Sequence, residues 1–509
     1  MKFSRRGRVT LIAAAALAST LALSACGGGG AETPDSDAPL TITVAATADL
    51  ISFDPGKLQG GQQLNYWQPV YETLIRRDAN GTLVPNVAES WEFVDPTTFT
   101  MTIKEGLTYA DGSDISPDTI VEGIERFRGG DGPDATYLDA ISDTAIDGST
   151  ITFTLSSPDP GLPFKFASTS GAVANPASFD TADVDTVPGA SGAYILDEEG
   201  TTPGSRYHYV RNENYWDPEA YPYDEVTVVF LEDLTARSNA LKSGQVDVAV
   251  LDGASAADIE AAGKTITQQS AAWEGYWIWD RTGQLNPALG DVRVRQAMNM
   301  AIDREGIVDK LMLGFGFPTE QIWRDPSPAS VEGADAYAYD VEGAKELLAD
   351  AGYPDGFDLD IPSLTGVAYL EPTIADQFAA IGVRVNWVSV PAEQYFPNIA
   401  RGDYAISYWR YTHDSTWVDI TRWITPDAQM NPLKTQTPEL DALIEDARVA
   451  TNDDDANAAY QSIGEYIYDN AWFLPTNFNV QVVAHDSDIE VETQVGQSVI
   501  PIYNYSPAS

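Results

Sequence analysis

Residues that could do catalytic or metal chemistry are few in this sequence. It contains three histidines, His208, His413 and His485, and no two of them lie close enough along the chain to suggest a metal-ligand pair. The common nucleophile, zinc, phosphate-loop and calcium-loop motifs are absent. With 76 acidic residues, neighbouring carboxylates arise by chance, so the aspartates at 453–455 indicate a solvated surface. We therefore expect no catalytic residues, no metal site and no cofactor, and His413 is only a minor candidate as a metal ligand.

The single cysteine, Cys26, lies between an apolar run and four glycines. The first ten residues carry four basic side chains, and the apolar segment after them ends in small residues, as in a secretory signal peptide over residues 1–25. The sequence Leu-Ser-Ala-Cys at 23–26 resembles the lipobox of bacterial lipoproteins, which implies cleavage before Cys26 and lipidation of its thiol. We expect a lipid-anchored protein on the outer face of the cytoplasmic membrane. A weak similarity of residues 4–6 to a twin-arginine signal leaves the export route open.

Length and charge limit the classes of partner. A chain of 509 residues exceeds the size of a single hydrophobic core, so more than one domain is expected. The formal net charge of −47 repels phosphate backbones and anionic headgroups, which excludes nucleic acid as a partner. Residues 26–39 are rich in Gly, Pro, Asp and Ser and indicate a flexible tether.

Short strands and capped helices alternate after the tether. The segment LTITVAA from Leu40 predicts a strand, and Ser116 followed by Pro117 predicts the start of a helix. Asp303 and Asp340 are predicted to cap two later helices, and VRVNWVSV from Val383 predicts a strand after a helix. This order is typical of an α/β protein.

Eight segments in order resemble the family 5 extracellular solute-binding proteins, the oligopeptide-, dipeptide- and nickel-binding receptors of ABC importers. They include VPNVAESWEF, TFTMTIKEGLTYADGSDISPDTIVEGIERF, YVRNENYWDP, VRVRQAMNMAIDREGIVDKLMLGFGFP and ARGDYAISYW. The similarity extends over about residues 41–485. One departure is Gly-Ala-Ser-Gly-Ala-Tyr at 189–194, which lacks the proline that the family usually has before the tyrosine.

The resemblance implies an α/β, periplasmic-binding-protein-like clamp of two lobes, type II, with an extra subdomain on the first lobe. Lobe 1 would comprise residues 40–58, 187–268 and 480–509, its subdomain residues 59–186, and lobe 2 residues 269–479. The chain would cross between the lobes near residues 268–273 and 479–481. Such proteins close around a solute by hinge motion and present the closed form to a membrane permease.

Two aromatic stretches are the candidate walls of the cleft. In SAAWEGYWIWDRT, strand alternation places Trp273, Trp277 and Trp279 on one face and Tyr276 on the other. The family resemblance puts this segment beside the cleft, although buried aromatic residues are equally common in cores. Tyr66 and Trp67 are weaker candidates from the opposite wall.

The second stretch, SYWRYTHDSTWVDI, contains Trp409, Arg410, Tyr411 and Asp414. Peptide-binding relatives carry an Asp three residues after the matching Trp, where it pairs with the α-ammonium of the peptide, but this chain has Thr412 there. Asp414 could replace that carboxylate, or Arg410 could bind an anionic group. Flat aromatic side chains also suit the apolar faces of sugars.

The sequence therefore predicts a monomeric, lipid-anchored receptor without catalysis that delivers a peptide-like solute to the permease subunits of an ABC importer. An oligosaccharide is the alternative solute. A secreted glycoside hydrolase or peptidase is the alternative enzyme, because a pair of catalytic carboxylates leaves little local signature. A structural or sensory surface lipoprotein is a third class.

Overall fold

The structure is a computed structural model that describes residues 39–413 and 415–508. The predicted signal peptide, nearly all of the tether with Cys26, and Asp414 lie outside the described residues. The strands, numbered along the chain, are β1 (Thr41–Ala46), β2 (Glu72–Thr73), β3 (Ile75–Arg77), β4 (Leu83–Pro85), β5 (Ala88–Asp95), β6 (Thr98–Ile103), β7 (Ile141–Asp147), β8 (Thr150–Leu155), β9 (Ala172–Val173), β10 (Tyr194–Leu196), β11 (Arg206–Arg211), β12 (Glu225–Phe230), β13 (Val248–Leu251), β14 (Thr265–Ile278), β15 (Gly316–Pro318), β16 (Phe357–Ser363), β17 (Val383–Ser389), β18 (Ile406–Tyr411), β19 (Phe473–His485), β20 (Ile489–Val491) and β21 (Tyr505–Pro507).

The α-helices of the same part of the chain are α1 (Leu64–Trp67), α2 (Pro117–Arg128), α3 (Leu162–Lys165), α4 (Leu234–Lys242), α5 (Ala256–Ala261), α6 (Val292–Met300), α7 (Arg304–Leu311), α8 (Val341–Asp350), α9 (Glu371–Ala380), α10 (Ala392–Ala400), α11 (Thr416–Trp423), α12 (Pro438–Val449) and α13 (Asp453–Asp469). None of them is long and apolar enough to cross a membrane.

Local sequence explains where several helices begin. Ser116 accepts a hydrogen bond from the Thr119 amide and caps α2, and the Thr119 side chain returns a bond to the Ser116 amide. The side chains of Asp303 and Asp340 cap α7 and α8 by accepting hydrogen bonds from the Gly306 and Gly343 amides. The predicted caps are confirmed at all three positions. The aspartates at 453–455 form the exposed first turn of α13, where negative charge stabilises a helix N-terminus.

The largest sheet has the strand order β10-β11-β12-β1-β13-β19-β14-β18, and β15 pairs with β19. Strand β1 is parallel to β12 and β13, whereas the pairs that involve β14 and β19 are antiparallel. A separate four-stranded antiparallel sheet, β5-β6-β8-β7, forms its own core with α2. Strands β16 and β17 make a two-stranded parallel sheet.

The paired strands β14 and β19 connect two groups of hydrophobic cores. Near one end of the pair, Val482 packs in a core with β13 and α4. Near the other end, Trp273 and Phe473 pack in a different core with α11 and α13. The register of the pair shifts between Ser270 and Ala272. This irregularity falls within both predicted crossings, although the lobe boundaries themselves stay a prediction.

Candidate functional site

A cavity of about 450 Å³ lies between segments that are far apart in sequence. One wall comes from residues 59–61, Leu64, Trp67, Arg77, residues 133–134, Tyr137 and residues 167–169. Residues 411–413 and Arg422 supply a second wall, and residues 496–499 supply a third. The first and second walls touch directly, because the Arg422 guanidinium donates a hydrogen bond to the Tyr137 hydroxyl at 2.6 Å. The volume falls within the range of small-molecule sites, about 300–1,000 Å³.

A smaller cavity, of about 140 Å³, adjoins the first at His413 and Gly496, which line both. Its wall comes from residues 80–81, Phe164, residues 323–328, Phe478, and His413, Ser415, Thr416 and Asp419. Strand β14 contributes Ser270 and Ala272, the two residues that flank the register shift.

His413 is oriented by a buried carboxylate. Its Nδ1 lies 2.7 Å from Oδ2 of Asp419, whose side chain is 1% exposed. The same oxygen accepts a hydrogen bond from Nε1 of Trp323 at 3.1 Å. Nε2 of His413 is buried and has no hydrogen-bond partner within the described residues. The imidazole can therefore offer Nε2 to a bound group.

The larger cavity has further polar groups on its wall. Oε1 of Gln497 is buried and has no hydrogen-bond partner among the described residues. Arg77 and Arg422 supply guanidinium groups, and Asp134 supplies a carboxylate that accepts a hydrogen bond from Thr169 at 2.9 Å. Both charge signs are thus present, as a solute with cationic and anionic groups requires.

Two of the predicted site residues, Trp67 and Tyr411, line the larger cavity. Nε1 of Trp67 donates to the Gln59 carbonyl at 2.8 Å, which holds the indole against this wall. Tyr66, its neighbour, instead points into the core, where its hydroxyl donates to the Ala48 carbonyl and its ring packs edge-on against Tyr207.

The aromatic residues of β14 and the adjoining Trp279 are fully buried and line neither cavity. Trp273 and Trp277 stack with their ring centroids 4.9 Å apart and their planes 10° apart, and Trp279 packs beside Trp277. Tyr276 lies in the core on the other face of the sheet, which confirms the predicted alternation. Their predicted contact with a solute stays a prediction.

Arg410 is engaged by a buried acid. Its Nε donates to Oε2 of Glu274 at 2.9 Å, and Glu274 also accepts hydrogen bonds from Tyr408 and Asn477. Burial alone would lower the pKa of the Arg410 guanidinium, but the charge of Glu274 raises that pKa above its ordinary value. Arg410 lines neither cavity, and its predicted role with an anionic solute stays a prediction.

Trp409 packs against Tyr395, with nearly parallel rings 6.1 Å apart, and against Phe396. Thr412, at the position where peptide-binding relatives have an aspartate, lines the larger cavity. Asp414 lies outside the described residues. Among the residues that are described, no group of three or more His, Cys, Asp or Glu is arranged to hold a metal ion.

Most residues of the cavity wall are not marked by any pattern in the sequence. Arg77, Tyr137 and Gln497 carry no local signal, because their chain neighbours form no motif and the residues they face are hundreds of positions away. His413 had a partial signal, since it lies inside the aromatic stretch singled out by composition.

The mixed α/β architecture matches the two-lobed periplasmic binding proteins. The fold is similar to the periplasmic murein tripeptide-binding protein MppA in its unliganded open form, with a TM-score of 0.83, 18% sequence identity, and coverage of 92% of this chain and 97% of that one. The family model described as bacterial extracellular solute-binding proteins, family 5, matches residues 82–429. This chain therefore belongs to that family.

Curated relatives are similar in sequence to this chain over most of their length. The heme-binding protein A of Haemophilus influenzae is 24% identical over 84% of this chain and 85% of its own. The periplasmic oligopeptide-binding protein OppA of Escherichia coli is 23% identical over 87% of this chain and 89% of its own. The predicted family and fold class are confirmed.

Proposed function

We propose that this protein is a lipid-anchored, extracytoplasmic receptor that captures a peptide or peptide-like solute and delivers it to the permease of an ABC importer. The observation that carries the proposal is the cavity of about 450 Å³, whose three walls come from parts of the chain that are distant in sequence. A solute that contacts all three walls has a higher affinity for the closed arrangement and shifts the population toward it. Solute binding and closure are then thermodynamically coupled.

The groups on the wall suit a peptide. A peptide carries amide donors, carbonyl acceptors and charged termini, and each needs a partner once it is removed from water. Gln497 and His413 have buried atoms without hydrogen-bond partners among the described residues, and guanidinium and carboxylate groups line the same cavity. OppA and MppA are named for oligopeptides and a murein tripeptide, which supports this class of solute.

An oligosaccharide is the second candidate solute, because the Trp67 and Tyr411 rings on the wall suit the apolar face of a sugar. Trp67 and Tyr411 line the larger cavity, and we propose them as the main contacts of the solute among the predicted site residues. Asp414, Arg410, Trp409, Tyr66, the aromatic residues of β14 and the adjoining Trp279 remain further candidates from the sequence. Catalysis is not part of the proposal.

The first test is native mass spectrometry of the soluble protein from residue 31 onward, with identification of whatever is released on denaturation. A released peptide supports the proposal, whereas a released sugar favours the oligosaccharide. Incubation of the protein with the identified solute then separates a receptor from a hydrolase. A receptor returns the solute unchanged, and its depletion with turnover would contradict the proposal.

The anchor needs its own test. Cys26→Ser removes the thiol that the proposal assigns to lipidation, and we expect the full-length variant to move from the membrane fraction to the soluble fraction. Ser36→Ala, in the same tether, is the matched control and should stay with membranes. Sedimentation of the Cys26→Ser variant with membranes would contradict lipid anchoring and leave solute binding untouched.

A further inference from the structure

The smaller cavity differs from the larger one in the chemistry of its wall. Aromatic side chains dominate it, namely Phe164, Trp323 and Phe478, and Pro326 and Val495 add further apolar surface. Trp323 and Phe478 are almost completely buried. The cavity is therefore walled largely by rings and aliphatic groups.

Several polar groups of this wall already have partners. Nε1 of Trp323 is bonded to Asp419, and the Ser327 hydroxyl lies 3.3 Å from that of Thr416. The Arg324 guanidinium lies 5.2 Å from the centroid of the Phe478 ring, over its face, where it makes a cation–π contact. These groups are therefore engaged within the protein, and Asn80 and Asp325 are further polar side chains of the wall.

His413 stands where the two cavities meet. Its Nδ1 is held by Asp419, and its buried Nε2 has no partner among the described residues. A solute that extends from the larger cavity into the smaller one passes this nitrogen. A polar atom at that point of the solute would satisfy Nε2, whereas an apolar atom would leave it without a partner.

The volume of the smaller cavity fits one apolar group. A cavity of about 150 Å³ lined by apolar side chains in another protein accommodates benzene. A cavity of about 140 Å³ therefore has room for a phenyl ring or a branched aliphatic side chain, and not for a second residue.

We infer that the solute is amphipathic: a single phenyl or branched aliphatic group occupies the smaller cavity, and the polar chain that carries it occupies the larger one. His413 hydrogen-bonds the polar atom next to that group. This inference rests on the proposed function, since it assumes that the larger cavity binds a peptide-like chain.

The test is calorimetric titration of the soluble protein with tripeptides Ala-X-Ala, in which X is Gly, Asp, Lys, Leu or Phe. Burial of a Leu or Phe side chain should strengthen binding about tenfold to a hundredfold over Gly. Asp and Lys should gain less affinity than Leu and Phe, because burying their charges costs more than contacts with Arg324 or Asp325 on the wall return.

Variants assign that preference to the smaller cavity. Val495→Phe puts a larger side chain on the wall and reduces the volume of the smaller cavity. Because Val495 is 38% exposed, the fold should tolerate the change. We expect the preference for Phe over Gly to fall at least about fivefold. Val449→Phe, at a similarly exposed position outside both cavities, is the matched control and should keep the preference. Phe164→Ala removes a ring from the wall and is a second, independent variant that should weaken the preference.

The outcomes separate the inference from the proposed function. Tripeptides that bind without a preference for Leu or Phe would overturn the inference and leave the function intact. Retention of the preference in both Val495→Phe and Phe164→Ala would also overturn the inference and leave the function intact. If no tripeptide of the panel binds, the peptide-receptor function and the inference both fail.

Discussion

Oδ2 of Asp419 lies 2.7 Å from Nδ1 of His413. The same carboxylate oxygen accepts the indole hydrogen of Trp323, so one buried acid orients a polar and an aromatic group of the smaller cavity. Asp419 itself is on α11, whose N-terminus follows His413 closely in the chain. Helix α11 thus holds the Asp419 carboxylate within hydrogen-bond distance of His413.

Asp419→Ala should destabilise the protein and weaken solute binding. Loss of the carboxylate leaves the indole N–H of Trp323 and Nδ1 of His413 without this partner, which costs about 1–3 kcal/mol of unfolding free energy. Thermal unfolding and titration with Ala-Phe-Ala measure the two effects. The control Asp427→Ala removes a side chain that is 95% exposed and should change neither. Equal behaviour of the two variants would contradict this role of Asp419.

Trp277→Ala should be among the most destabilising single changes in the chain. Trp277 is fully buried and contacts Trp273, Trp279, Trp423 and Phe473. Removal of such a ring costs about 3–5 kcal/mol of unfolding free energy. Trp387→Ala, at a half-buried position, is the control and should cost less free energy of unfolding.

The milder variant Trp277→Phe tests the separate prediction that strand β14 contacts the solute. The measurement is titration of this variant with Ala-Phe-Ala.

The Asp54–Arg126 pair should stabilise the junction between α2 and the segment after β1. Asp54 is buried. Its carboxylate accepts hydrogen bonds from Nε of Arg126 at 2.9 Å, from Nη2 of Arg126 at 2.5 Å and from the Gly56 amide. We expect Asp54→Ala to lower the unfolding free energy by about 3 kcal/mol. Asp358→Ala breaks an exposed pair with Arg384 and should cost less than about 1 kcal/mol. Chemical denaturation compares them, and similar losses would contradict the ranking.

Asp185 should contribute to stability above its ordinary pKa and lose that contribution in acid. A hydrogen bond from Ser52, and then one from Lys57, lower the pKa of this carboxyl below 3.8. Since the folded pKa is the lower one, the contribution is complete above pH 3.8 and disappears as the pH falls through the folded value.

Asp185→Asn should therefore lower the melting temperature at neutral pH and leave it unchanged at low pH. The carboxylate is half exposed, so solvent screening limits the effect to less than about 1 kcal/mol. Melting temperatures of the protein and the variant across the acid range provide the measurement. A constant difference at every pH would contradict the assignment to ionisation.

Local patterns predicted local structure well. Ser116, Asp303 and Asp340 begin helices because a side-chain cap and the amides it binds are at most a few residues apart. The alternation of Trp277 and Tyr276 across β14 follows from strand geometry alone. The family resemblance extended these patterns to a confirmed fold class.

The wall of the candidate site required the tertiary structure. Arg77, Tyr137, Arg422 and Gln497 meet at one cavity only because the chain folds back on itself several times. A sequence pattern assigns Trp273 and Trp277 to one face of a strand, but the packing of Trp423 and Phe473 against that face decides that it is buried.

The sequence by itself therefore determined the class of protein, the helix starts and the faces of the strands, because these depend on neighbours along the chain. Only the tertiary structure decided which side chains line a cavity and which form the core. That choice depends on contacts between residues hundreds of positions apart, such as Tyr137 with Arg422, and no local pattern encodes them.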